Sequence, residues 1–91
     1  MTTVKMKIGG EERASGGGRT YQRLNPVTGA VASEAQAATV QDAVAAVDAA
    51  AAAFPAWAAL GPNARRAVLL KVADTLAAKG ALFVSAMAAE I

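Results

Sequence analysis

The side chains that most often do chemistry are absent from this chain or scattered along it. Histidine and cysteine do not occur among its 91 residues. Thiol attack, imidazole acid–base catalysis, disulfides and a zinc site of the usual ligands therefore have nothing to build them. Glu11-Glu12 and Glu34 are the carboxylates available as an acid–base pair. They stand in or beside loops, where nothing favours burial, and a solvated surface accounts for them. Gly16-Gly17-Gly18 resembles a phosphate-cradling loop in composition. A dinucleotide fingerprint, however, needs a third glycine where Tyr21 stands and a helix directly afterwards. A nucleotide loop needs a lysine followed by serine or threonine, and the sequence has none. The triplet reads as a linker. Arg65-Arg66 near a helix start would suit an anion, but arginines on the wet face of an amphipathic helix need no ligand. Phe54 and Trp57 read as core between helices rather than as a recognition patch. No catalytic, cofactor-binding or metal-binding residue is assigned.

Composition narrows the remaining classes. Nine basic and seven acidic residues give a net charge of +2, too balanced to predict nucleic acid or an anionic membrane as partner. Met1-Thr2-Thr3-Val4-Lys5-Met6-Lys7 lacks the apolar centre of a secretion signal. Residues 43–60 are about as long as a bilayer span, but they are mostly alanine, carry Asp48 and are interrupted by Pro55. They are not read as a transmembrane helix. Nor does either helix pair a lysine-rich face with a bulky apolar one, as binding to a membrane surface requires. The expected location is the cytoplasm. Hydrophobic residues make up 55% of the chain, roughly half of them alanine, whose methyl groups bury little area. Independent folding is expected to be marginal.

The elements that must position any site are strands first and helices after. Val4, Met6 and Ile8 alternate with Lys5 and Lys7, the period of a half-buried strand, and Gly9-Gly10 interrupts them. Thr20-Tyr21-Gln22-Arg23-Leu24 is a second strand. Asn25-Pro26-Val27-Thr28-Gly29 turns it into a short return strand over residues 30–33, making a small antiparallel hairpin. At Thr39 the period changes. Thr39 can cap a helix, with Asp42 in a capping-box position. Val40, Val44, Val47, Ala51 and Phe54 trace one stripe, which Pro55 is expected to end. Trp57 and Leu60 are expected to plug a short connection between two packed helices. Pro62 opens the next helix, whose apolar positions include Val68, Leu69, Val72, Ala73 and Leu76. Lys79-Gly80 marks a break before Leu82, Phe83, Ala86 and Met87 resume helical spacing. The expectation is an α/β chain with a β region about 4–34 and helices about 40–54, 62–79 and 81–91. Residues 86–91 stay in helical phase with no closing signal. With Asp48 the only charge in residues 43–60, this predicts the beginning of something larger.

The order of these pieces carries a resemblance. Ile8-Gly9-Gly10-Glu11, Arg19-Thr20-Tyr21 and Asn25-Pro26-Val27-Thr28-Gly29-Ala30-Val31 are followed by Ala38-Thr39-Val40-Gln41-Asp42-Ala43-Val44 and Ala53-Phe54-Pro55-Ala56-Trp57. Gly61-Pro62, Arg66, Leu69-Leu70, Val72-Ala73-Asp74, Leu76 and Met87-Ala88-Ala89-Glu90-Ile91 complete the series. It resembles the opening of the NAD(P)-dependent aldehyde dehydrogenase superfamily over nearly the whole chain. Arg19-Thr20-Tyr21 and Gly61-Pro62 with Arg65-Arg66 look most like the bacterial aromatic-aldehyde branches, the salicylaldehyde and vanillin dehydrogenases. Two departures fall in the hairpins: many relatives have an aromatic residue near Glu12-Arg13, and Gly29-Ala30 replaces the commoner glycine-glutamate pair.

The resemblance implies oxidation of an aldehyde to a carboxylic acid with NAD or NADP. In that family a cysteine thiolate attacks the aldehyde, hydride passes to the nicotinamide, and a glutamate-activated water hydrolyses the thioester. It further implies a homo-oligomer at full length. Carried over position by position, it gives this stretch no catalytic and no cofactor-contacting residue. The chain corresponds to the N-terminal part of the cofactor-binding domain, a hairpin region and two or three helices, and is expected to be inactive alone. The alternative is a non-enzymatic, alanine-rich helical interaction module.

Overall fold

The alternation of Val4, Met6 and Ile8 does build strand, but in two pieces that join different sheets. The computed structural model describes residues 2–91. Strand β1, Thr2–Val4, lies parallel to β5, Val31–Gln36, and β4, Thr20–Leu24, pairs antiparallel with the other edge of β5. Spatial order in this sheet is β1-β5-β4. The chain leaves it at Lys5, and β2, Met6–Ile8, folds back on β3, Glu11–Arg13, as a separate hairpin. Gly9 and Gly10 have φ of 62° and 81°. Two consecutive positive φ values make the tight turn that matches strand twist, and glycine adopts them without a Cβ clash. The sequence reading took this pair as an interruption; it is a hairpin turn.

The turn between β4 and β5 is held by Asn25. Its Oδ1 accepts the Val27 and Thr28 N–H groups at 2.9 and 3.2 Å, and its backbone carbonyl accepts the Gly29 N–H at 2.8 Å. Such side-chain-to-backbone bonds are why asparagine opens turns.

Three helices follow: α1 Val40–Ala59, α2 Pro62–Ala78 and α3 Gly80–Glu90. At the head of α1, Thr39 Oγ1 accepts the Asp42 N–H at 3.1 Å while Asp42 Oδ2 accepts the Thr39 N–H at 2.8 Å. An N-cap of this kind contributes about 1 kcal/mol. Pro55 does not end the helix, contrary to the expected stop near residue 54; α1 runs through it to Ala59. Proline removes one N–H and crowds the preceding turn, but alanines on both sides carry the strongest helix preference of any residue. The actual stop is Gly61-Pro62. Leu60 and Gly61 are extended, with ψ of 138° and 164°, as the residue before a proline prefers.

Trp57 consequently sits on α1 and not in the connection. With Leu60 it remains 38% and 37% exposed, and among the described residues no two helices pack extensively along one another. The expected plug between packed helices is therefore corrected. The molecule is a slab of 49 × 33 × 16 Å with a radius of gyration of 16.7 Å, where a compact domain of this length would have about 12 Å. Among the described residues Ile8 is the one buried apolar side chain. Val68, Leu69, Val72, Leu76, Leu82, Phe83 and Met87 are 45–66% exposed. No described helix is long and apolar enough to cross a membrane.

Candidate functional site

The polar groups that the fold does bury form two knots. In the first, the loop after β3 closes on the start of α1. Ser15 donates its hydroxyl to the Ala37 carbonyl at 2.6 Å and its N–H to Gln36 Oε1 at 2.8 Å. The Gly16 N–H lies 3.1 Å from Asp42 Oδ2 and 3.3 Å from Oδ1, and the Ser15 hydroxyl reaches Oδ2 at 3.4 Å. A Cβ on Gly16 would lie 3.2 Å from Asp42 Oδ1, a tight approach that the carboxylate would have to relax to accommodate. The N–H groups of Thr39 and then Gly16 hold the Asp42 carboxyl below the usual carboxylate range, against an opposing effect of desolvation. Hydroxyl bonds from Thr39 and Ser15 add to the same lowering.

The second knot fastens the far end of the chain to the sheet. Glu90 Oε1 accepts from Arg23 Nε at 2.9 Å and from the Ser33 hydroxyl at 3.2 Å. Ser33 is buried on the central strand β5.

The residues singled out by their chemistry do not converge. Glu11 and Glu12 lie on β3 in the small hairpin, whereas Glu34 is on β5 in the other sheet. Gly16 and Gly17 direct their N–H groups to Asp42 and to Ser15 Oγ, and Gly18 bonds the Ser15 carbonyl. A strand follows them, not a helix. Arg65 and Arg66 fall in the first turns of α2 without an ion-pair partner among the described residues, and Arg66 is exposed. Phe54 is 64% exposed on α1. Among the described residues no cluster of three carboxylates stands ready for a metal. What the sequence reading missed are the acceptors. Asp42 was visible as half of a capping box, but its grip on Gly16 and the meeting of Glu90 with Arg23 and Ser33 join residues with no local pattern between them.

Two open grooves lie on the surface. One, of about 370 Å³, runs between the β2–β3 turn and α1 and is lined by Ile8, Gly9, Gly10, Ala46, Ala49 and Ala53. The other, of about 310 Å³, follows Val68, Val72 and Leu76 on α2. Neither contains a convergent set of polar groups such as a substrate pocket uses. The arrangement chemically does one thing, which is to tie strands to helices.

The polar knots tie this hairpin-and-helix unit together, and its sequence has known counterparts. Residues 13–91 match the aldehyde dehydrogenase family, and the chain belongs to that family. It is 52% identical over 86 residues to a vanillin dehydrogenase of Pseudomonas fluorescens, an alignment covering 94% of this chain and 18% of that one. It is 45% identical over 73 residues to a salicylaldehyde dehydrogenase of Pseudomonas putida, covering 80% of this chain and 15% of that one. The crystal structure of a salicylaldehyde dehydrogenase from Pseudomonas putida complexed with salicylaldehyde superposes with a TM-score of 0.96 at 38% identity, over 100% of this chain and 19% of that chain. The chain thus spans less than a fifth of the length of these relatives.

Proposed function

We propose that this chain is the N-terminal part of the cofactor-binding domain of an NAD- or NADP-dependent aldehyde dehydrogenase that oxidises an aromatic aldehyde to its carboxylic acid. The observation that carries the reading is the superposition over the whole chain on a salicylaldehyde dehydrogenase, supported by the identity to a vanillin dehydrogenase. The cysteine that forms the thioester, the glutamate that activates water and the groups that grip the dinucleotide belong to the parent enzyme beyond these residues. Within the chain the glycine triplet does not fit a dinucleotide phosphate, since its N–H groups already meet Asp42 and Ser15, and no step is routed through it. The role of this part is architectural: it supplies strands and helices against which the rest of the domain packs. The parent enzyme is proposed to act in the cytoplasm as a homo-oligomer.

Sequencing the coding DNA past Ile91 tests this reading. The expected result is an open frame several times longer, with a cysteine and a glutamate in the family's context. A stop codon directly after Ile91 in the native gene would overturn it and favour the non-enzymatic helical module.

A further inference from the structure

We propose that Glu90 is a charge-dependent clasp that fixes the end of α3 on the β4–β5 sheet. Among the described residues little else holds this helix: residues 81–88 are all exposed, and only Gly80, Ala89 and Glu90 are drawn partly inside. An acidic side chain in the last turn also lies at the negative end of the helix dipole, where helix electrostatics disfavour it. The compensation comes from the sheet, where Arg23 Nε and the Ser33 hydroxyl both reach Glu90 Oε1. Arg23 and Ser33 are register partners on neighbouring strands, so they present to the same face. The pairing register shifts between Arg23 and Leu24, and such irregularities re-aim the side chains beside them. The clasp therefore has one dry anchor, buried Ser33, and one wet anchor, since the Arg23 side chain is 58% exposed. Charge loss at either end of the ion pair releases the last turn of α3 while leaving the capped start of α1 intact.

The test is amide hydrogen exchange on the intact protein carrying Arg23→Gln, Glu90→Gln or both. Each single variant is expected to speed exchange in residues 87–91 roughly threefold to tenfold, the range set by a charged hydrogen bond discounted for exposure. The double variant is expected to go no further than the singles, because one interaction is removed in all three. Exchange in the first turn of α1 serves as the internal reference and is expected to stay constant. Unchanged rates in residues 87–91, additive effects in the double variant, or a matching loss of protection in α1 would each overturn the clasp.

Discussion

Expressed alone, residues 1–91 are expected to show no cooperative thermal transition and a circular dichroism spectrum poorer in helix than the 48 residues of α1, α2 and α3 would give (20, 17 and 11). At 11 residues α3 is too short to persist alone in water, and the longer α1 and α2 also depend on packing, from which most helical stability in proteins comes. Here those faces are open: Val68, Leu69, Val72 and Leu76 on α2 and Leu82, Phe83 and Met87 on α3 remain about half exposed or more, and the helices do not cover one another. One buried isoleucine is too small a core for a 91-residue chain. The same residues joined to the rest of the proposed parent enzyme are expected to melt with it as one unit. A sharp two-state melt of the isolated chain, with helix content matching the fold, would show that it is stable alone and would count against the scaffold reading.

Asp42 is where a single substitution is expected to cost most. In the intact protein, Asp42→Ala removes the acceptor for the Thr39 and Gly16 N–H groups together, leaving two donors of a part-buried loop unpaired. The expected result is a melting midpoint lower by several degrees and faster amide exchange at Gly16 and in the first turn of α1. Asp42→Asn keeps one oxygen and is expected to lose less. The pH dependence has a definite sign. The folded carboxyl titrates below its usual range, so its contribution is fully present above the unfolded pKa of about 3.9 and fades as pH falls through the lower folded value. The wild-type midpoint should therefore drop in that acid window by more than the Asp42→Asn midpoint does. Equal acid profiles for the two proteins would refute the assignment of that sensitivity to Asp42.

Local chemistry explains what could be read from sequence. The Asn25 turn and the Thr39–Asp42 capping box each depend on residues within five positions of one another whose side chains bond nearby backbone, and the start of α2 at Pro62 depends on the fixed φ of proline. The hairpin at Gly9-Gly10 was legible in principle as two glycines between short β segments, but Glu11-Glu12-Arg13 carries no apolar alternation to mark a strand. The parallel pairing of β1 with β5 joins Thr2 to Ser33 and leaves no trace in either segment. Pro55 misled because the rule that proline ends a helix is a local preference, and a run of alanines outweighs it. Trp57 misled for a different reason. A large aromatic near a proline resembles a plug, yet among the described residues nothing packs over Trp57 closely enough to bury it. Glu11, Glu12, Glu34, Arg65 and Arg66 stand apart in the fold, and the buried polar groups are engaged in holding strands to helices.

The family membership rests on residues 13–91, and the proposed activity rests on relatives more than five times as long. The measurement that decides between scaffold piece and free-standing module is therefore made on the product of the full native reading frame. The purified protein is mixed with NAD⁺ or NADP⁺ and with vanillin or salicylaldehyde, and the absorbance of reduced nicotinamide is followed. Aldehyde-dependent reduction of one of the two cofactors, absent when residues 1–91 are supplied alone, is the predicted result. A folded full-length product that reduces neither cofactor with either aldehyde, or with simple aliphatic ones, would contradict the account.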